Sequence, residues 1–153
     1  MTKELNIEMD TNAILGVLGN RPAVATPMTR LEYNNSRGWD LPADENPEDK
    51  GMRITYFNPM HSNWLPQEVF ETMFEENGTL SFGTALNQCI DGQIPICRTG
   101  WNGKGMSVKV STISLEDSDD YSFLLILTTP DGKVVPWHPS TADLFAKDWS
   151  VIV

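Results

Sequence analysis

One stretch near the C-terminus restricts the fold of this chain more than any other. Tyr121 to Thr129 is a strong strand signal, Thr128-Thr129-Pro130-Asp131-Gly132-Lys133 is a tight turn, and Val134 to Trp137 returns as a partner strand. Turn residues of this kind double the chain back on itself. The flanking sequence extends the pattern. Ser81 is a natural N-cap for a helix whose apolar stripe is Phe82, Ala85, Leu86, Cys89 and Ile90, and Gly92 stops it. Ile94 to Arg98 reads as a short strand. Met106 to Leu115 alternates, with Met106, Val108, Val110 and Ile113 on related faces, and Glu116 to Asp120 is an acidic loop. Ser140-Thr141-Ala142-Asp143 has capping-box-like spacing and opens a helix of one to two turns through Ala146. Asp148 to Val153 closes the chain as a final strand. One helix followed by mostly antiparallel strands predicts an α+β domain over residues 79–153.

The N-terminal half reads as two smaller pieces. Residues 28–78 form an accessory α+β segment. Thr29 and Glu32 have capping-box spacing for a helix through Ser36, and Met52 to Phe57 alternates as a strand. Trp39 and Leu41 are read as anchors of an irregular loop, and Asn58-Pro59 turns the chain. Pro66 then starts a helix running to about Asn77, with Val69, Phe70, Met73 and Phe74 on its buried face. Residues 1–27 read as an N-terminal arm. There Asp10-Thr11 caps a short apolar turn at Ile14 to Leu18, weakened as a helix by its glycines, and Arg21 to Pro27 is an extended linker.

Composition excludes several function classes. With 21 acidic residues against 11 lysines and arginines the net charge is −10, which argues against coating DNA or RNA. A single small anion needs only a nest of amides and one or two cations. Cys89 and Cys97 do not have metal-ligand spacing and only two histidines are present, so no metal or cofactor is expected. Both cysteines sit in apolar surroundings and are read as buried free thiols. No stretch approaches the ~20 apolar residues of a membrane span, and no secretory signal is visible. The expected compartment is the cytoplasm.

Gly100-Trp101-Asn102-Gly103-Lys104-Gly105-Met106 is poor core material. Its glycines let backbone amides approach a ligand, its tryptophan offers a stacking face, and Asn102 and Lys104 offer donors. That combination suits a planar, polar, anionic small molecule. The competing reading is a plain hairpin turn, for which Asn-Gly is a strong signal.

Several motifs in order carry a resemblance. They are Phe82-Gly83-x-Ala85-Leu86, Arg98-Thr99-Gly100 through Met106, Asp131-Gly132-Lys133-Val134-Val135-Pro136-Trp137, and Ser140-x-x-Asp143-Leu144-x-Ala146-x-Asp148-Trp149. Together they resemble the second Thoeris anti-defence family, small phage proteins that act as sponges for immune signalling nucleotides. The match covers about residues 81–153. The resemblance implies sequestration without catalysis inside the host bacterial cytoplasm, and homotetramers with ligand pockets at subunit interfaces. The implied partner is glycocyclic ADP-ribose, with cyclic oligonucleotides bound by some members at a separate site. This sequence departs from the usual pattern at Pro95 and Cys97, and carries a long N-terminal part to which the resemblance assigns no role.

By that resemblance the ligand-binding residues are Phe82, Arg98, Thr99, Gly100, Trp101, Asn102, Gly103, Lys104, Gly105, Met106, Ser140, Thr141 and Asp143. Trp101 would stack on adenine or line the pocket, or else pack at an interface. Arg98 and Lys104 would offset pyrophosphate charge, while Arg98 has the alternative of a salt bridge to Asp143 or Asp148. Phe82 is a pocket wall or a core anchor. Ser140, Thr141 and Asp143 form a helix cap, from which Asp143 could also accept from ribose or adenine. Trp137 and Trp149 are assigned to packing. The sequence offers no nucleophile–base pair or phosphate-binding loop for catalysis. The remaining alternative is a structural or protein-binding phage module without a small-molecule ligand.

Overall fold

In a computed structural model of the chain, residues 11–57, 60–114 and 120–153 are described. The order of elements is β1 (Ile14–Leu18), β2 (Arg21–Pro27), α1 (Arg30–Arg37), β3 (Gly51–Phe57), β4 (Met60–Pro66), α2 (Gln67–Met73), β5 (Phe74–Glu76), α3 (Phe82–Ile90), β6 (Ile96–Arg98), β7 (Ser107–Ser114), β8 (Tyr121–Thr128), β9 (Val134–Pro136), α4 (Thr141–Phe145) and β10 (Trp149–Val151). Two antiparallel sheets with four helices make the fold α+β, as the sequence predicts. No helix among the described residues is long and apolar enough to cross a membrane.

The chain divides into two compact units. One takes in residues through Gly16 and Ala23–Phe74, the other Val17–Pro22 and Glu75–Val153. In the first, β2, β3 and β4 pair antiparallel in that order, with Ala25 opposite Ile54 and Ile54 opposite Asn63. Their buried face presents Met52, Ile54 and Tyr56. The α1 capping box forms as read: Thr29 Oγ1 accepts from the Glu32 amide, and Glu32 accepts from the Thr29 amide. Arg30 pairs with Glu45 and lies 5.1 Å over the Trp64 ring, whose indole N–H donates to the Met28 carbonyl.

The N-terminal half departs from the sequence reading at several points. Ile14–Leu18 and Arg21–Pro27 are strands, not an apolar turn and a linker. Pro22 and Pro27 do not prevent pairing: they stand near the ends of β2, whose register with β3 runs from Ala23 to Pro27. Met60–Pro66 is a strand despite its polar composition. The helix after Pro66 ends at Met73, and Phe74–Glu76 is already extended. Trp39 is 51% exposed, so it is not a buried anchor; Arg37 lies 4.7 Å over its ring. The expected turn at Asn58-Pro59 and residues 116–119 of the acidic loop lie outside the described residues.

The second unit packs α3 on a sheet of order β10-β6-β7-β8-β9. Its core gathers Leu80, Ala85, Cys89, Ile96, Val108, Trp137, Trp149 and Val151, with Val17 from the early segment. Ser81 caps α3 by accepting from the Thr84 amide. The apolar stripe holds as far as Cys89, whereas Ile90 at the end of the helix is half exposed. In β7 Val108 and Val110 share a face, but Ile113 is opposite Ser122 on the other face, since successive residues alternate. Both cysteines are free; Cys89 is buried and Cys97 partly so, and burial raises both thiol pKa values.

Candidate functional site

The register of β6 against β10 builds the site. Arg98 is the Cα partner of Trp149, so its side chain stands beside that indole, 5.9 Å from the ring centroid, and within reach of Asp148. Arg98 Nε donates to Asp148 Oδ1 at 2.8 Å and Nη1 donates to Asp143 Oδ1 at 2.9 Å. The arginine is therefore ion-paired to both acids that the sequence offers it. One positive against two negative groups leaves this trio at a formal −1.

Asp143 is the hub. It lies in the first turn of α4, where Oδ2 accepts from the Ser140 amide and the Ser140 hydroxyl, each at 2.8 Å. Oδ1 accepts from Arg98 and, at 3.3 Å, from the Trp101 indole N–H. An ionised carboxylate has about four acceptor sites, and all four are used. Its backbone carbonyl accepts from the Trp149 indole N–H at 3.1 Å. Burial pushes its pKa up, but the bonds from Ser140, Arg98 and Trp101 outweigh that and hold it below the ordinary aspartate value. Asp148 is likewise held low, first by Arg98, against a smaller opposing effect of burial.

The loop after β6 hangs from the same acids. The Gly100 amide donates to Asp148 Oδ2 at 2.8 Å and the Thr99 amide to the Asp148 carbonyl at 3.1 Å. A side chain at Gly100 would put its Cβ 2.8 Å from that carboxylate oxygen, so glycine is what allows the bond. At Gly103 a Cβ would fall 2.4 Å from Pro130 Cγ, which brings the β8–β9 turn against this loop. Phe82, Trp101, Trp137 and Trp149 close an aromatic cluster. Trp101 is T-shaped to Trp149 at 5.3 Å and to Trp137 at 6.2 Å, and Phe82 is tilted against Trp149 at 5.3 Å.

The expected residues thus divide by position. Phe82, Arg98, Trp101, Ser140 and Asp143 come together in the network or the cluster, with Phe82 packed on the core. Thr99, Gly100, Asn102, Gly103, Lys104 and Gly105 form an exposed rim, Met106 is half-buried beneath it, and Thr141 faces solvent. Lys104 makes no ion pair among the described residues. Asp148 and Trp149 belong to the site equally and were not among the expected ligand residues; their signal was the Asp-Trp pair at the start of the last strand. Among the described residues no group of three or more His, Cys, Asp or Glu could hold a metal.

Acid should loosen this site. Because the folded pKa values of Asp143 and Asp148 are depressed, their contribution is complete above about pH 5. It is lost as pH falls through ~3.9 toward the folded values. The urea midpoint should drop between about pH 5 and 3, and drop less in Asp148→Asn. An identical drop in the variant would mean that other carboxyls carry the effect.

Two comparisons with known proteins bear on this chain, the first of them falling on this unit. Residues 80–152 match the family described as the Thoeris anti-defense 2-like domain. The chain is also similar to Thoeris anti-defense 2 of Bacillus phage SP01, at 31% identity over 85 residues, covering 48% of this chain and 94% of that protein.

Proposed function

We propose that this chain, which belongs to the Thoeris anti-defense 2-like family, is a phage anti-defence protein that binds and sequesters a nucleotide immune messenger without cleaving it. Glycocyclic ADP-ribose is the ligand the reading names, with a cyclic oligonucleotide as a second candidate. The working state is a homo-oligomer, a tetramer, in the host bacterial cytoplasm.

The observation that carries the reading is the exposed Gly100–Gly105 rim held over a half-buried Trp101 and pinned at its base by Asp148. Such a rim offers backbone amides and one uncommitted cation beside an aromatic ring, which are the contacts a nucleotide pyrophosphate and base require. Lys104 supplies the positive charge in this reading. Arg98 is neutralised by two carboxylates and acts as the frame. Binding without turnover is favoured by the state of the nearby acids: Asp143 and Asp148 are hydrogen-bonded and held ionised, so neither is a ready proton donor.

Calorimetry with cyclic ADP-ribose isomers and cyclic di- and trinucleotides tests the reading, followed by heat release and mass analysis of the nucleotide. Recovery of intact glycocyclic ADP-ribose supports it. Absence of binding at on the order of 100 μM removes it, and recovery of an altered nucleotide replaces it with an enzyme. In the same titration Lys104→Ala should weaken binding several-fold and flatten its salt dependence. Stability should stay within about 0.5 kcal/mol, because the side chain is exposed.

A further inference from the structure

The turn between β8 and β9, with its Pro130-Asp131-Gly132-Lys133 sequence, has no role in the functional reading above. Register places it beside the rim. Ser107, the first residue of β7, is opposite Thr128, the last of β8. The loop that enters β7 and the turn that leaves β8 therefore emerge together at one end of that pair. The turn is stiff. Pro130 fixes its own φ, and Gly132 takes a φ of +79°, as the residue before the return strand does in a three-residue hairpin loop. The Gly132 amide donates to the Thr129 carbonyl at 2.9 Å, and the Thr129 amide to the Lys133 carbonyl at 2.8 Å. The Lys133 amide donates to Thr129 Oγ1 at 3.1 Å, and Lys133 Nζ pairs with Asp131 at 2.8 Å.

The rim is built in the opposite way. Asp148 fixes its base, but Asn102, Lys104 and Gly105 make no hydrogen bond among the described residues. Its crest meets the turn. A Cβ at Gly103 would overlap Pro130 Cγ and fall 3.2 Å from Pro130 Cβ, so the rim backbone lies against the proline ring with no side chain between them. Gly103 is not among the glycines of positive φ, so this close approach, and not its conformation, is what requires glycine there.

We propose that Pro130 is a positioning residue for the rim: its ring is the stop on which the crest rests, and it sets how the rim stands over Trp101 before a ligand arrives. The proposal deepens the sequestration reading and rests on it for the ligand, not for the contact. Glycine loses more backbone freedom on ordering than any other residue. A rim with three glycines held only at its base would lose affinity in ordering itself around a ligand, and a stop at the crest removes part of that loss in advance. Lys133 adds no free charge, because Asp131 neutralises it, so the part played by the turn is mechanical.

The test is a double-mutant cycle on the full-length chain with Pro130→Ala, Gly103→Ala and the two together. It is read by backbone amide relaxation in nuclear magnetic resonance, by urea midpoint, and by calorimetry with glycocyclic ADP-ribose. Without nucleotide, the order parameters of Asn102 to Gly105 should approach the ~0.85 of rigid backbone in the parent. In Pro130→Ala they should fall toward ~0.6, with those of Val108 to Ile113 unchanged. A parent rim already below ~0.6, or a rim that Pro130→Ala leaves as it was, overturns the proposal. Gly103→Ala should lower the urea midpoint and weaken binding. In the Pro130→Ala background its cost should be at least about twofold smaller in both equilibrium constants, because the ring it strikes is gone. Costs that simply multiply overturn the proposal. Should Gly103→Ala fail to fold, Thr129→Val takes its place. That change keeps the ring but removes the acceptor of the Lys133 amide, and it should loosen the rim as Pro130→Ala does; an unchanged rim overturns the proposal. If the parent does not bind the nucleotide, the sequestration reading fails, while the order parameters and urea midpoints still decide whether Pro130 is the stop.

Discussion

Asp143→Ala should destabilise the second unit by about 3 kcal/mol, the largest loss expected from a single polar substitution in this chain. Removing one partner of a largely buried ion pair costs ~3–5 kcal/mol, because the other charge is left behind. Arg98 keeps Asp148, which places the cost at the lower end. The same change removes the Asp143 half of the α4 capping box, leaving the Ser140 amide without its acceptor, and orphans the Trp101 indole N–H. For a unit of this size about 3 kcal/mol lowers the melting temperature by roughly 12–24 °C. Three companions divide the effect. Ser140→Ala should cost only the cap, about 1 kcal/mol. Asp143→Asn keeps the shape and an acceptor but loses the charge, and should fall between. Arg98→Met should destabilise comparably to Asp143→Ala, since it leaves two carboxylates without their cation. Thermal and urea unfolding, followed by the far-ultraviolet signal, measure all four. A loss below about 1 kcal/mol for Asp143→Ala would show that the network is a surface feature, as exposed ion pairs are.

What could be read before the structure was local, and what could not was pairing. The caps at Thr29, Ser81 and Ser140 form as their spacing predicts, because a cap involves one side chain and an amide three residues on. The β7–β8 and β8–β9 pairings follow from two apolar runs and a Pro-Asp-Gly turn. By contrast Ile14–Leu18, Arg21–Pro27 and Met60–Pro66 contain glycine, proline or polar residues at the positions that signal a strand. Their strand character is set by the strands they pair with, as with β2 against β3, some thirty residues on at Ala23 opposite Tyr56. The site divides in the same way. The Gly-Trp-Asn-Gly-Lys-Gly run could be found by composition, and so could the capping acid. That Arg98 would meet Asp143 and Asp148 together depends on a three-residue register between β6 and β10, fifty positions apart, which left its partners open. The exposure of Ile90 and Phe123 was equally hidden, since each lies on an apolar pattern that continues past the end of the element covering it.

Trp101→Ala should weaken binding of glycocyclic ADP-ribose by roughly 5- to 160-fold, the ~1–3 kcal/mol of one base stacked on an aromatic ring. The difficulty is that Trp101 also has a structural role. It packs on Trp137 and Trp149 and donates to Asp143, so its loss also costs stability. Trp101→Phe separates the two. Phenylalanine keeps an aromatic face and much of the packing but cannot make the indole bond to Asp143. If the ring stacks on the ligand, Phe should retain most of the affinity that Ala loses, although both variants give up the hydrogen bond. If Trp101 only holds the loop against α4, Phe and Ala should be impaired in proportion to their stability. Measured at a temperature where both are fully folded, both should then bind nearly as the parent does. Calorimetry at ~15 °C, near the usual maximum of protein stability, makes that comparison. Lys104→Ala serves as the reference for a rim contact that carries no structural load. The outcome turns on whether affinity follows the ring or follows the fold.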